Sequence, residues 1–503
     1  MRSLLAFAPL TLLALASSAS AQERVWTETD AVHTALSVSF DARAARADHT
    51  SAEAAVRVAH DARQPTLSIA ATGGHSESLA SSIGGAIVRQ QQDYVSLTSS
   101  AHLVSDVGTE VDLGLSSNVG WRTANLNPAS TTLNTLGPIY TTNLTIDLRQ
   151  PLLRGAGEDA TLGAERQSRA SARAAELSAQ QTVSTVVRDV LVAHHELAYA
   201  QSALEVSEAV LALARTQLEH ARASEALGTG THLDVLRYTS ALATAESNAR
   251  TSRAQEEQAA ITLGTLLGLD ASASRTLRVT PSAREAVNVA SVEILADRAS
   301  QSSPELAALD ATVAAARELE RTRADADQLQ LDLIGQLAAG VAYSGTTLET
   351  LTLPDGRPAL SGSIGLELTF PMGQGEAHAQ YEQASAQLEG AIARYEARAR
   401  TLASEIASGR AEWVSADERV ALAATARDAS HELADAERAG LSLGTVTSID
   451  VVSAQEDERN AALTALRASA DRREAEIRLA HLTGSLLDAF GVQLDSSSTE
   501  TTP

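Results

Sequence analysis

The chain carries one ten-residue phrase twice, LGTGTHLDVL from Leu227 and LGTVTSIDVV from Leu443, 216 positions apart. Gly228, Thr229, Thr231, Asp234 and Val235 recur as Gly444, Thr445, Thr447, Asp450 and Val451. At the same offset ITLGTLLGL from Ile261 stands opposite IRLAHLTGS from Ile477, while LRQPLLRGAG from Leu148 and LTFPMGQG from Leu368 lie 220 apart. The change of four residues is about one helical turn, which a long helix absorbs with its buried face nearly preserved. Further upstream, VRVAHDARQPTLSIA from Val56 faces ERTRADADQLQLDLI from Glu320 at an offset of 264, so the first copy holds 44 extra residues (264 − 220). The pattern predicts a tandem duplication: a first repeat over 22–270, a linker over 271–290, a second repeat over 291–487 and a tail over 488–503.

Within each copy the apolar period changes in a fixed order. Val183, Val190, Leu197, Leu204, Leu211 and Leu218 recur every seven residues, and Leu388, Ile392, Tyr395, Ala399, Leu402 and Ile406 alternate steps of four and three. These are coiled-coil spacings. A helix over 156–226 would be roughly 105 Å long at 1.5 Å per residue, which no compact domain requires. Only 3% of the chain is aromatic while 44% is apolar, with much alanine, a composition for long, closely packed helices.

Elsewhere the period drops to two. Val111, Leu113 and Leu115, then Leu144, Ile146 and Leu148, then Ile364, Leu366, Leu368 and Phe370 each alternate with polar or glycine positions. Such segments have one apolar and one polar face, as in a barrel wall with lipid outside and water inside. Alternation alone fits a half-buried soluble sheet better; an export signal and the long helices reverse that preference. Tyr94, Trp121, Tyr140, Tyr343 and Phe370 fall at or near strand ends, where an interfacial aromatic girdle would sit. Strands within 66–149 and 330–370 are expected, with SDVGT from Ser105 as a tight turn and Pro65, Pro151 and Pro371 marking changes of period.

Residues 1–21 read as a signal peptide: Arg2, an apolar run from Leu4 to Leu15, and Ala19-Ser20-Ala21 before the cleavage point. No later run reaches the 18 or so apolar residues of a membrane-spanning helix. Cysteine is absent, which leaves no disulfide, thiolate nucleophile, Cys-rich zinc site or amino-terminal lipid anchor. All 39 basic residues are arginine, so a lysine-dependent phosphate loop and Schiff-base chemistry are excluded. A net charge of −24 argues against nucleic acid as a partner.

The duplicated layout, the QPLLRGAG junction at Gln150 to Gly157 and the G-T-x-T-x-[LI]-D-V phrase at Gly228 and Gly444 together resemble the TolC-type outer-membrane efflux proteins across nearly all of the mature chain. The resemblance implies a mixed α and β membrane protein: a homotrimer whose strands pool into one outer-membrane β-barrel, continuous with a long periplasmic α-helical barrel. It implies a passive exit duct for efflux or type I secretion, working with a periplasmic adaptor and an inner-membrane pump, embedded in outer-membrane lipid, without cofactor or enzymatic activity. The two phrases become helical-hairpin tips, with Gly228, Thr229, Gly444 and Thr445 as the adaptor-docking positions. Asp450 matches an aspartate that lines the periplasmic entrance; the second aspartate common three residues on is Ser453 here, which weakens the implied ring. Asp234 is its first-copy counterpart, placed either to tie tips together or, like Asp450, to cap a returning helix, although Thr231 and Thr447 are the better placed caps. Two strands per repeat, hence four per chain and twelve per trimer, are favoured over six per chain. A coiled-coil scaffold outside the membrane is the competing reading.

Motifs that suggest chemistry do not complete it. HHEL at His194 and HEL at His431 lack the second histidine of the H-E-x-x-H zinc motif, because Tyr199 and Asp435 occupy that place. No metal site is expected, beyond opportunistic binding at His194 and His195. The glycine pairs near 155, 228 and 373 lack the strand-helix setting of a dinucleotide site.

Overall fold

The computed structural model describes residues 25–81, 87–124, 134–280, 289–344, 358–370 and 375–492. The expected export signal, Pro371, Gly373 and the end of the tail lie outside them. In chain order the elements are β1 (Val25–Trp26), α1 (Glu28–Val38), α2 (Phe40–Asp61), β2 (Thr66–Ser81), β3 (Ile87–Val104), β4 (Glu110–Ala124), β5 (Asn134–Pro151), α3 (Glu158–Ala226) and α4 (His232–Leu266). There follow α5 (Ala271–Ser274), β6 (Arg278–Val279), α6 (Val292–Ser302), α7 (Pro304–Ala326), β7 (Gln330–Ser344), β8 (Ala359–Thr369), α8 (Gly375–Leu443), α9 (Ser448–Leu482) and α10 (Leu486–Ala489). They divide into two compact units, one from residues 45–179 and 304–400, the other from the remainder, with α3 and α8 contributing to both.

The first unit holds an antiparallel sheet in the order β2-β3-β4-β5-β7-β8. Six strands form it, where four were favoured. The difference is the hairpin β3–β4, which pairs along almost its whole length with β2 on one side and β5 on the other instead of projecting from the sheet. Each of its backbone ladders is thereby satisfied from both sides, which a hairpin standing alone in lipid or water does not achieve. The sequence itself offers segments near 94–104 and 109–119 as strands; four were favoured because the family layout has two strands per repeat.

Registration places the apolar positions of neighbouring strands in common rows. One row runs Leu67, Ala101, Leu113, Ile146, Leu337 and Gly362; another runs Ile69, Ser99, Leu115, Leu144, Ala339 and Leu360. Trp121 and Tyr140 belong to this face. Tyr94 does not: it shares the polar face with Ser96 and Thr98, and its ring lies across Gly74 of β2. The polar face is cross-linked by Ser68–Ser100 at 2.8 Å, Thr72–Ser96 at 2.6 Å and His102–Asp112 at 2.7 Å. At its base Arg149 bonds Asp332 at 2.9 Å and Glu110 at 3.1 Å.

The second unit is helical. Its two hairpins repeat in length, 69 residues followed by 35 in α3–α4 and again in α8–α9. The heptad positions Val183, Val190 and Leu197 are fully buried, in one cluster with Val32, Leu263, Leu277, Ile477 and Leu486. Part of the expected linker belongs to this core. Residues 271–280 form α5 and β6, and β6 pairs in parallel with β1, which buries Leu277 and Val279. A strand of two residues leaves too short a pattern for periodicity to reveal.

Candidate functional site

Both repeated phrases break a helix and reverse the chain. At the first, Gly228 takes φ +72° and the amides of Thr229 and Gly230 donate to the Ser224 carbonyl. At the second, Gly444 takes φ +73° and the amide of Thr445 donates to the Gly440 carbonyl at 3.0 Å. These bonds satisfy carbonyls left open at the helix end, and a left-handed residue is what permits them. Gly228, Thr229, Gly444 and Thr445 are all exposed.

The returning helices start on threonine. Thr231 is the N-cap of α4 and accepts from the Asp234 amide at 3.2 Å, while its hydroxyl donates to the Asp234 carboxylate at 2.6 Å. Thr447 caps α9, and there the Asp450 carboxylate accepts from both the amide and the hydroxyl of Thr447, at 2.9 and 2.6 Å. Asp450 is exposed and closes a capping box on its own helix. These hydrogen bonds hold its carboxyl below the usual carboxylate range. Ser453 lies exposed one turn further along α9.

Asp234 does more than serve its own helix. Its second oxygen accepts from Ser448 Oγ of the other hairpin at 2.5 Å, and Arg237 donates to the same hydroxyl at 3.2 Å. The Ser448 hydroxyl first, and Thr231 second, hold the Asp234 carboxyl below its ordinary value. The structure therefore brings Asp234 together with Ser448 and Arg237, while the hydrogen bonds of Asp450 stay within its own cap. Ser448 is 5% exposed. Sequence reasoning missed both Arg237 and Ser448. Arg237 could have been noticed three residues after Asp234, but its partner is 211 residues away.

Leu227, Leu233, Leu443 and Ile449 surround these turns as exposed apolar side chains. Far along the helices, His194 is fully buried with Nε2 3.2 Å from the Trp26 carbonyl, and burial pushes its pKa down. His195 Nε2 lies 3.1 Å from Glu28. Among the described residues no group of three or more His, Cys, Asp or Glu side chains is arranged to hold a metal ion. His431 bonds Glu458 and lies 3.6 Å from Asp435, an exposed charge pattern along the helices.

The family model described as outer membrane efflux protein matches residues 105–269 and 295–485, well over half of the chain. No curated protein sequence matches. Among solved structures the chain resembles the outer-membrane channel OprN, with TM-score 0.64 at 17% identity over 91% of this chain and 90% of that one. It is similar to VceC of Vibrio cholerae, with TM-score 0.61 at 17% identity over 91% and 96%. The CmeC outer membrane channel of Campylobacter jejuni gives TM-score 0.63 at 13% identity over 91% and 86%.

Proposed function

The chain belongs to the outer membrane efflux protein family, and from that premise we propose that it is the exit duct of a tripartite efflux or type I secretion system. Three copies pool their sheets into one barrel in the outer membrane, and their helices line a passage in the periplasm. The duct is passive, and the energy comes from an inner-membrane pump joined to it by a periplasmic adaptor. The equal lengths of the two helical hairpins support the reading of the chain as a tandem duplication.

The observation that carries this reading is the asymmetry of the sheet. Its apolar face is exposed across the strands, with Leu67 at 69%, Leu115 at 46% and Ile364 at 81%, while the opposite face carries Ser, Thr, Asn and charged pairs. An exposed apolar surface of this extent on a monomer needs lipid or protein to cover it. Outward apolar and inward polar rows are the form such a strand takes in a bilayer.

At the periplasmic end, the tips at Gly228–Thr229 and Gly444–Thr445, with their exposed leucines, are the surface for the adaptor. Asp450, exposed and ionised, contributes to a carboxylate ring at the entrance that favours cations, with Ser453 one turn behind it. Asp234 ties the two hairpins of one chain through Ser448.

Single-channel conductance of the purified protein in a planar bilayer tests the proposal. Stable steps with cation preference, reduced in selectivity by Asp450→Ala, are the expected result. Steps unchanged by the substitution remove Asp450 from the entrance. Release of the protein from cells by osmotic shock, with no trimer in the membrane fraction, would replace the duct with a periplasmic scaffold.

A further inference from the structure

The hairpin β3–β4 is an integral part of the sheet, and its lipid-facing row continues that of its neighbours: Val95, Leu97 and Leu103 on β3, Val111, Leu113 and Leu115 on β4. Its base is fastened. In the turn between the strands, the Val107 carbonyl accepts from the Gly157 amide at 3.1 Å, Asp106 pairs with Arg63 at 2.6 Å, and Thr109 bonds Gln150. These contacts bind the turn to the junctions of β2 and β5 with their helices, so the hairpin is held at the depth of the other strands. The 44 extra residues of the first copy lie between β2 and β5, whose second-copy counterparts are β7 and β8, which leaves β3–β4 as the surplus pair.

The edges of the sheet show where the next copy joins. Mid-sheet leucines on this face include Leu113 at 38% exposed and Leu337 at 61%, and Leu67 on β2 and Leu360 on β8 reach 69% and 77%. β2 and β8 each have one neighbour in the chain. A lipid-embedded edge must find a strand, because hydrocarbon offers its amides nothing else. In a ring of identical copies, β8 of one meets β2 of the next.

We propose that β3–β4 is a barrel-widening insert, so that three six-stranded sheets close an eighteen-stranded barrel whose duct passes hydrophilic cargo of polypeptide size. This rests on the trimeric assembly proposed above. With strands about 4.8 Å apart and tilted about 40°, the backbone radius is about 12 Å for twelve strands and about 18 Å for eighteen, and the enclosed area a little over doubles. The middle of the insert's polar row carries Ser96, Thr98, Ser100, Ser116 and Asn118, with the His102–Asp112 pair and Glu110 at its base. Such a lining hydrates the passage.

The absence of cysteine lets introduced pairs report strand neighbours. Ser68→Cys on β2, combined in turn with Glu367→Cys or Thr369→Cys at the corresponding depth on β8, should give covalent trimers on a non-reducing gel. Ser116→Cys on β4 with the same β8 cysteines should give none. Trimers linked from β4 to β8, or trimers linked at neither pair, would overturn the proposal. Native mass spectrometry of the unmodified protein decides the assembly separately: particles that are not trimers refute the trimer and leave the strand pairing to be judged by the same cysteines. Deleting residues 82–124 should narrow the barrel imaged in nanodiscs by about one third, and an unchanged diameter would also refute the insert. Should the deleted chain fail to fold, the cysteine pairs still decide.

Discussion

Ser448→Ala removes a single hydroxyl from the bond between the two hairpin tips. That hydroxyl donates to Asp234 at 2.5 Å and accepts from Arg237 at 3.2 Å, and it is buried beneath the turns. A hydrogen bond to a charged group contributes roughly 1.5–3 kcal/mol. Asp234 is partly exposed, so water replaces some of the loss and the net effect is about 1 kcal/mol, or about fivefold in the balance between joined and separated tips. The assay is the open fraction of single channels in a planar bilayer at fixed voltage and salt. Ser448→Ala and Asp234→Ala should each raise it about fivefold, and the double variant should add little, because both remove the same bond. Asp234 is held below its ordinary value near 3.8, so the bond is intact above that value and is lost as pH falls through the lowered one. Acid therefore opens the wild type only below about pH 3.8, and the variants lose that response. An open fraction unmoved by both substitutions, in a channel that Asp450→Ala does alter, would show that the bond shapes the tip without restraining it.

Gly484 takes φ +74°, and a Cβ there would lie 2.3 Å from the Ser302 carbonyl oxygen, so Gly484→Ala should cost about 2–4 kcal/mol and lower the melting temperature and the yield of folded protein. Gly444 has a similar φ but open space around it; Gly444→Ala should cost only about 1 kcal/mol, and an equal loss at both positions would refute the steric account. Burial keeps His194 neutral in the fold, which stabilises the protein above its ordinary value of 6.5 and less as pH falls below it. Thermal melting between pH 7 and 5 should fall more steeply in the wild type than in His194→Gln. Arg149→Ala strands Asp332, which is 1% exposed, and should cost about 3–5 kcal/mol; restoration by the additional change Asp332→Asn is the check, and no restoration would locate the loss elsewhere.

The helix breaks were legible because Gly228 and Gly444 must adopt a backbone that other residues resist, so the chemistry of one position reports its geometry. Strands β4, β5 and β8 were legible from alternation. The number of strands was not: a strand near 94–104 was readable, but the family layout of two strands per repeat favoured four, and what makes β3 part of the sheet is its pairing on both sides. Alternation also left the face of Tyr94 open, since the ring fills space above Gly74 that only strand registration creates. At the tips, the threonine caps followed from local rules, whereas the Asp234–Ser448 bond depends on how two helical hairpins align side by side. No short-range pattern encodes that alignment.

The parallel pair β1–β6 joins Val25 to Arg278 and Trp26 to Val279, and the same buried cluster takes in Ile477 and Leu486. Contacts this distant along the chain have a kinetic consequence: closing such loops is slow, and each partner must exist before the other can settle. During synthesis the first described residues wait for more than half of the chain to emerge, and their core is finished only by α9 and α10. Until these two helices are present, the amino-terminal segment has no complete cluster in which to bury Trp26 and Val32.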